Sequence, residues 1–215
     1  ALACHPRVMA DVRGNKVGLP EITLGLLPGG GGIVRTVRMF GLAQAVPNIL
    51  MSGKSFVPAK ALEMGLVDEV VAAEQLLDAA MSIMGARFGS MQLLDAERQQ
   101  LKLLTSRNFT PEARRFFQVV PAHAGSACGA ALSSGSRVVI PDMETSSVMA
   151  GTRDLEVSRA CGMRSVQSTP LVSRGGYVVG MISTHWDRPY EPTERQLRLL
   201  DVVARRERRG RGGEV

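Results

Sequence analysis

Apolar residues recur along this chain in two rhythms, and the changes between them mark its elements. Leu76-Leu-Asp-Ala-Ala-Met-Ser-Ile-Met84 repeats at helical spacing and stops at Gly85, which suits a C-terminal cap. Ser90–Asp95 and Leu101–Ser106 alternate as two antiparallel strands around a polar turn, and Pro111 opens a short helix through Gln118. After the small-residue stretch that ends at Leu132, Arg137-Val-Val-Ile140 reads as a buried strand and Asp142–Ser147 as a polar loop. A helix is expected over Asp154–Cys161, then a hairpin of Ser165–Ser173 and Tyr177–His185 about Arg174-Gly175-Gly176. Thr193 and Gln196 have capping-box spacing ahead of a last helix whose apolar face is Leu197, Leu200, Val203 and Ala204. These elements predict an α+β class with an antiparallel sheet flanked by helices.

Upstream the pattern is more broken. Ala1–Cys4 reads as the end of a helix, Arg7–Val12 and Lys16–Ile22 as short extended pieces, and Arg13-Gly14-Asn15 as the turn between them. Pro28 and four glycines open onto a helical stretch, Ile33–Met39. Pro47 interrupts the helical patterning of Gly41–Met51, so that helix is expected to kink or split. The expected organisation is an α/β segment over 1–75, a second domain over 76–208 and a basic flexible tail over 209–215.

Composition narrows the function classes. The chain has 215 residues, 45% of them apolar and 21% charged, as in an ordinary globular protein. No apolar run approaches the roughly 18 residues needed to span a bilayer, which predicts a cytoplasmic protein with no membrane partner. The three cysteines, Cys4, Cys128 and Cys161, fall in no metal or redox-pair spacing, so neither a disulfide framework nor a metal site is expected. Much of the net charge of +6 sits in arginines after residue 204, interleaved with glycine and without aromatic partners. A solvated tail, not a nucleic-acid interface, is the expectation.

Candidate chemistry enters first at Glu21, which follows Pro20 and lies among Leu19, Ile22, Leu24 and Leu26. A partly desolvated carboxyl there could exchange protons near neutrality; the alternative is a solvent-facing glutamate. Gly18–Gly32, Arg35-Thr-Val-Arg38 and Pro58–Val70, together with Ala1–His5, resemble the enoyl-CoA hydratase/isomerase (crotonase) superfamily over residues 1–72. The resemblance implies an acyl-CoA substrate for this segment alone and makes Glu21 its general acid/base. It also implies that the second glutamate and both thioester-oxygen donors lie upstream of the stretch aligned with Ala1. One lost donor costs about 10²–10³ in rate, so the segment alone is expected to be catalytically incomplete and to expose apolar surface.

The second resemblance covers about 76–206. Gly125-Ser-Ala-Cys-Gly129, Arg137–Asp142, Ala160–Leu171, Gly180–Trp186 and Pro192–Asp201 are similar to the GAF domains of bacterial signalling proteins. It implies a pocket on one face of a central sheet for a small molecule of unknown identity, and homodimerisation through the terminal helices. The pocket region so implied holds Cys128, Asp142, Cys161, Gln167 and His185. Each has a plainer reading: Cys128 and Cys161 as core residues, Asp142 as a cap, Gln167 on an exposed strand face, His185 as a strand-end polar group. No cofactor is identified, since haem would need an axial ligand from His123 or His185 and no bilin or cyclic-nucleotide pattern is present. The expected function is a sensory, ligand-binding module fused to an incomplete hydratase segment. The alternatives are an enoyl-CoA hydratase of fatty-acid β-oxidation, if an upstream half is supplied, and a fused or fragmentary reading frame without unified function.

Overall fold

The computed structural model describes residues 7–11, 15–122, 124–172 and 177–204, and the side chains of all these except 202–204. The expected helix end at Ala1–Cys4, most of the Arg13–Asn15 turn, the Arg174–Gly176 turn, His123 and the basic tail lie outside the described residues. The chain forms two compact units, Ala1–Ala73 and Glu74–Val215.

In the first unit β1 (Val8–Asp11) pairs in parallel with β4 (Glu69–Ala72), and β2 (Val17–Gly18) antiparallel with β3 (Ser55–Phe56). Helices α1 (Gly32–Phe40), α2 (Leu42–Ala45) and α3 (Pro58–Glu63) complete it. Its core is Met9, Val17, Leu19, Ala45, Ile49, Leu50, Ala61, Leu66 and Val67. Arg7 clamps the start of β1 to the approach of β4 through Asp68, which accepts from Arg7 Nε at 2.9 Å and Arg7 N at 2.7 Å. Pro47 has the expected effect: α2 stops at Ala45 and the chain continues as a π-helical turn over Val46–Leu50. A proline lacks the N–H and crowds the preceding turn, which forces such a change of winding. The extended piece expected over Lys16–Ile22 is corrected. Only Val17–Gly18 is a strand, because Pro20 at the first turn starts a 3-10 helix, Pro20–Leu24, that ends on Gly25 at φ 70°.

In the second unit six antiparallel strands lie in the order β7-β6-β5-β10-β9-β8. They are β5 (Phe88–Asp95), β6 (Gln100–Arg107), β7 (Val119–Pro121), β8 (Val138–Ile140), β9 (Ser165–Val172) and β10 (Val178–Trp186). On one face lie α4 (Ala73–Met84) and α8 (Glu194–Ala204). Leu77, Ala80 and Met84 form the buried stripe of α4, and the Met84 carbonyl accepts from Trp186 Nε1 at 3.3 Å and Gln196 Nε2 at 3.1 Å. The capping box is present: Gln196 Oε1 accepts from Thr193 N at 2.9 Å and Thr193 Oγ1 from Gln196 N at 3.3 Å.

The other face carries α5 (Pro111–Phe116), α6 (Ala127–Ser134) and α7 (Arg153–Ala160), packed over Phe88, Leu101, Val120, Val166 and Met181. Thr110, Ser126 and Thr152 cap them, accepting from Ala113 N, Gly129 N and Leu155 N at 3.1, 3.2 and 3.3 Å. Helix α6 carries no apolar stripe, being built of small residues, and its signals are its caps, Ser126 and Gly135 at φ 64°. A Cβ on Gly129 would fall 2.5 Å from the Ala124 carbonyl oxygen, so only glycine allows the chain to turn so tightly there.

Candidate ligand-binding site

Strand alternation decides which side chains face the helices α5–α7. In the ladder Ser183 stands opposite both Ser90 and Ser168, and His185 opposite Val166 and Phe88. Ser90 and Gln92 of β5, Val166 and Ser168 of β9, and Ser183 and His185 of β10 therefore share one face. Over them close Phe109, Phe117, Ser126, Ala127, Cys128, Met143, Met149 and Ser158, leaving a cavity of about 30 Å³. Among the described residues no charged side chain lines it, and the Asp154 carboxyl stands behind the wall, bonded to Ser126.

The polar groups of this cavity are unevenly satisfied. Ser168 and Ser183 hydroxyls bond each other at 2.8 Å, and Ser126 Oγ lies 3.4 Å from Cys128 Sγ. Gln92 Oε1 and both ring nitrogens of His185 are shielded from solvent with no hydrogen-bond partner among the described residues. Phe109 meets the His185 ring edge-on at 5.6 Å and fixes its plane. Burial pushes the His185 imidazole down to about 3, so it is neutral at physiological pH. Burial also pushes the Cys128 thiol up, against its bond to Ser126, which is the reverse of what a reactive thiolate needs.

Of the five residues in the expected pocket region, Cys128 and His185 line this cavity, and Asp142, Cys161 and Gln167 do not. Asp142 caps the 3-10 turn Met143–Thr145 and accepts from Arg164 at 2.6 and 2.9 Å. That guanidinium holds the Asp142 carboxyl below its usual range. Met143, the next residue, is the one that turns inward. Cys161 follows α7 in the core, its sulfur accepting from Thr110 N at 3.4 Å. Gln167 is buried, not exposed, and sits on the opposite sheet face. With its amide oxygen toward Thr169 N (2.8 Å) and its nitrogen toward Thr184 Oγ1 (3.0 Å), both ends are satisfied. Thr169 in turn accepts from Arg137 Nε at 2.7 Å, and Arg137 pairs with Asp201 of α8. Gln167 thus belongs to a polar network leading to α8. Ser90, Gln92, Ser168 and Ser183 were not singled out in the sequence, though polar residues spaced by two in otherwise apolar strands are a signal for a wet spot in a core.

In the first unit Glu21 is half-buried on the 3-10 helix, and its Oε2 is shielded without a hydrogen-bond partner among the described residues. The apolar wall expected around it is only partly there. Leu19 is buried, but Leu24 is 73% exposed, as is much of Leu26, so they do not enclose the carboxyl. Among the described residues no group of three or more His, Cys, Asp or Glu is placed to hold a metal ion.

Comparison with known families accounts for both units. The family model for the GAF domain matches residues 67–206, and that for enoyl-CoA hydratase/isomerase matches 1–115. This chain is a GAF-family protein with an N-terminal enoyl-CoA hydratase/isomerase segment. The two matches overlap over 67–115, where β5 and β6 already belong to the GAF sheet. Among curated proteins, the fatty acid oxidation complex subunit alpha of Shewanella amazonensis is 48% identical over 83 residues, 39% of this chain. That of Shewanella loihica is 48% identical over 89 residues, 40% of this chain. The chain spans 12% of the length of each relative.

Solved structures share the fold at low identity. The GAF domain/HD domain protein from Geobacter sulfurreducens aligns with a TM-score of 0.51 at 13% identity, covering 61% of this chain and 83% of that one. The GAF domain of a two-component sensor histidine kinase from Bacillus halodurans gives 0.50 at 14% identity, covering 61% and 88%. Among the described residues, no helix is long and apolar enough to cross a membrane.

Proposed function

We propose that this chain is a cytoplasmic sensory module whose GAF unit binds a small molecule between its sheet and helices α5–α7, as in bacterial signal transduction. The observation that carries the reading is the cavity lined by Cys128 and His185, where three buried polar atoms are left without partners. Buried polar groups are almost always bonded, and an unmet one costs about 1–3 kcal/mol. A fold that retains three together keeps binding energy in reserve for an occupant. Signal output would run through the opposite face, where Arg137 links the sheet to Asp201 of α8, and through pairing of α4 and α8 with a second copy.

The test is thermal unfolding of the full chain against a library of small metabolites. At least one compound should raise the midpoint of the wild type and not that of Cys128→Leu, which fills the cavity from α6. A response equal in both, or no response at all, counts against the reading. Acyl-CoA chemistry rests on Glu21 alone, flanked by exposed leucines. Hydration of a short enoyl-CoA, followed by absorbance of the conjugated thioester, should be undetectable. Turnover that Glu21→Gln removes would restore the hydratase reading.

A further inference from the structure

We propose that the cavity between the sheet and α5–α7 takes a small uncharged molecule that carries both a hydrogen-bond donor and an acceptor, held by Gln92 and His185. This rests on the sensory reading above and names the class of its ligand. The two side chains are 2% and 9% exposed and stand on neighbouring strands of one sheet face, two same-face positions apart along the ladder, with the Ser90–Ser183 pair between them. Gln92 Oε1 can only accept, while a neutral imidazole offers one N–H and one bare nitrogen. Together they present two acceptors and one donor with no partner among the described residues. A molecule with an N–H or O–H and a carbonyl or hydroxyl oxygen matches that set.

Charge and size narrow the class further. An anion would lose its hydration among Phe109, Phe117, Met143 and Met149 with no cation in the lining and with Asp154 behind Ser126 and Cys128. A cation could not satisfy the acceptor and the donor of the imidazole together, and burial raises the Asp154 carboxyl toward its neutral form. An apolar one would leave all three polar atoms unmet. The cavity volume of about 30 Å³ is room for roughly two water molecules at ~10–15 Å³ each. A guest of a few heavy atoms must therefore displace Met143 or Met149, whose unbranched, freely rotating side chains yield most easily. Short amides, ureas and alcohols fit these limits.

The experiment follows the methionine methyl signals of the full chain by NMR during titration with acetamide, with acetate, of equal size, and the smaller methylammonium as charged probes and xenon as an apolar one. Acetamide should shift the Met143 and Met149 methyls saturably in the millimolar range, and acetate and methylammonium should not. Gln92→Leu and His185→Phe should each weaken acetamide at least tenfold. Both replace an unmet polar group by an apolar one, and either suffices if the other fails to fold. Equal binding of acetate or methylammonium, or acetamide affinity unchanged in the variants, overturns the proposal. A response to xenon but not to acetamide overturns it too, while leaving a ligand-binding cavity. Water as the sole occupant, with no probe moving the methyls, overturns this proposal, and the sensory reading falls with it only if the metabolite library also leaves the unfolding midpoint unchanged.

Discussion

The two units of this chain treat their hydrophobic residues differently. The GAF unit covers both faces of its central sheet, so Leu101, Met181, Ile182, Trp186 and Leu200 vanish from solvent. The hydratase-family unit has two two-stranded ladders and a small core, and leaves Leu24, Leu26, Leu27, Leu42 and Met51 largely exposed. A sheet covered on both sides can enclose a site and keep polar atoms dry; paired strands of two to four residues cannot. The same contrast separates His185, sealed at a cavity, from Glu21, shielded on one oxygen beside an open apolar surface.

Point changes can break or sharpen that contrast. Leu101→Ala, at a fully buried site of β6, should cost about 2–5 kcal/mol in chemical denaturation. If it costs under 1, the GAF core is not closed as described. His185 supplies the next effect. It stays neutral in the fold down to about 3 but takes up a proton near 6.5 when unfolded, so between these values the unfolded chain binds more protons. Stability is then full above about 6.5 and falls as pH drops, by up to about 1.4 kcal/mol per unit. His185→Phe should lose that component, measurable between pH 6.5 and 5; parallel pH profiles for both proteins would contradict the burial of the ring.

Removing the Thr193 cap of α8 by Thr193→Ala should cost about 1 kcal/mol and change the midpoint only of the transition that reports Trp186, which shares the Met84 carbonyl with Gln196 of α8. Smallest of all, Leu24→Ser in the first unit should alter stability by no more than about 0.5 kcal/mol, because the side chain is mostly in water already. A larger loss would mean that the exposed leucines are covered in solution.

Local chemistry made much of the fold legible. The Pro47 break, the capping box at Thr193, Pro111 as a helix start and the two hairpins all follow from interactions within a few residues. Lys16–Ile22 departs from its extended pattern because Pro20 reads equally as the end of a strand and the start of a turn. Helix α6 has no periodic signature because small residues give no stripe, and only Ser126 and Gly135 mark it.

The candidate site was legible only in part, and β9 shows why. Val166, Gln167 and Ser168 are adjacent in sequence, and alternation says that the middle one faces away from its neighbours. It does not say which face meets α6 and which meets α8. That choice depends on where helices distant in sequence pack, and it sends Ser168 to the cavity and Gln167 to the network of Arg137 and Asp201. By itself the sequence determined most of the elements, the two family likenesses and the short list containing Cys128 and His185, since these rest on neighbours and spacing. The tertiary structure alone decided that Asp142 turns to Arg164, that Gln92 joins His185, and that both keep unmet polar atoms, because burial is a property of surfaces brought together across the chain.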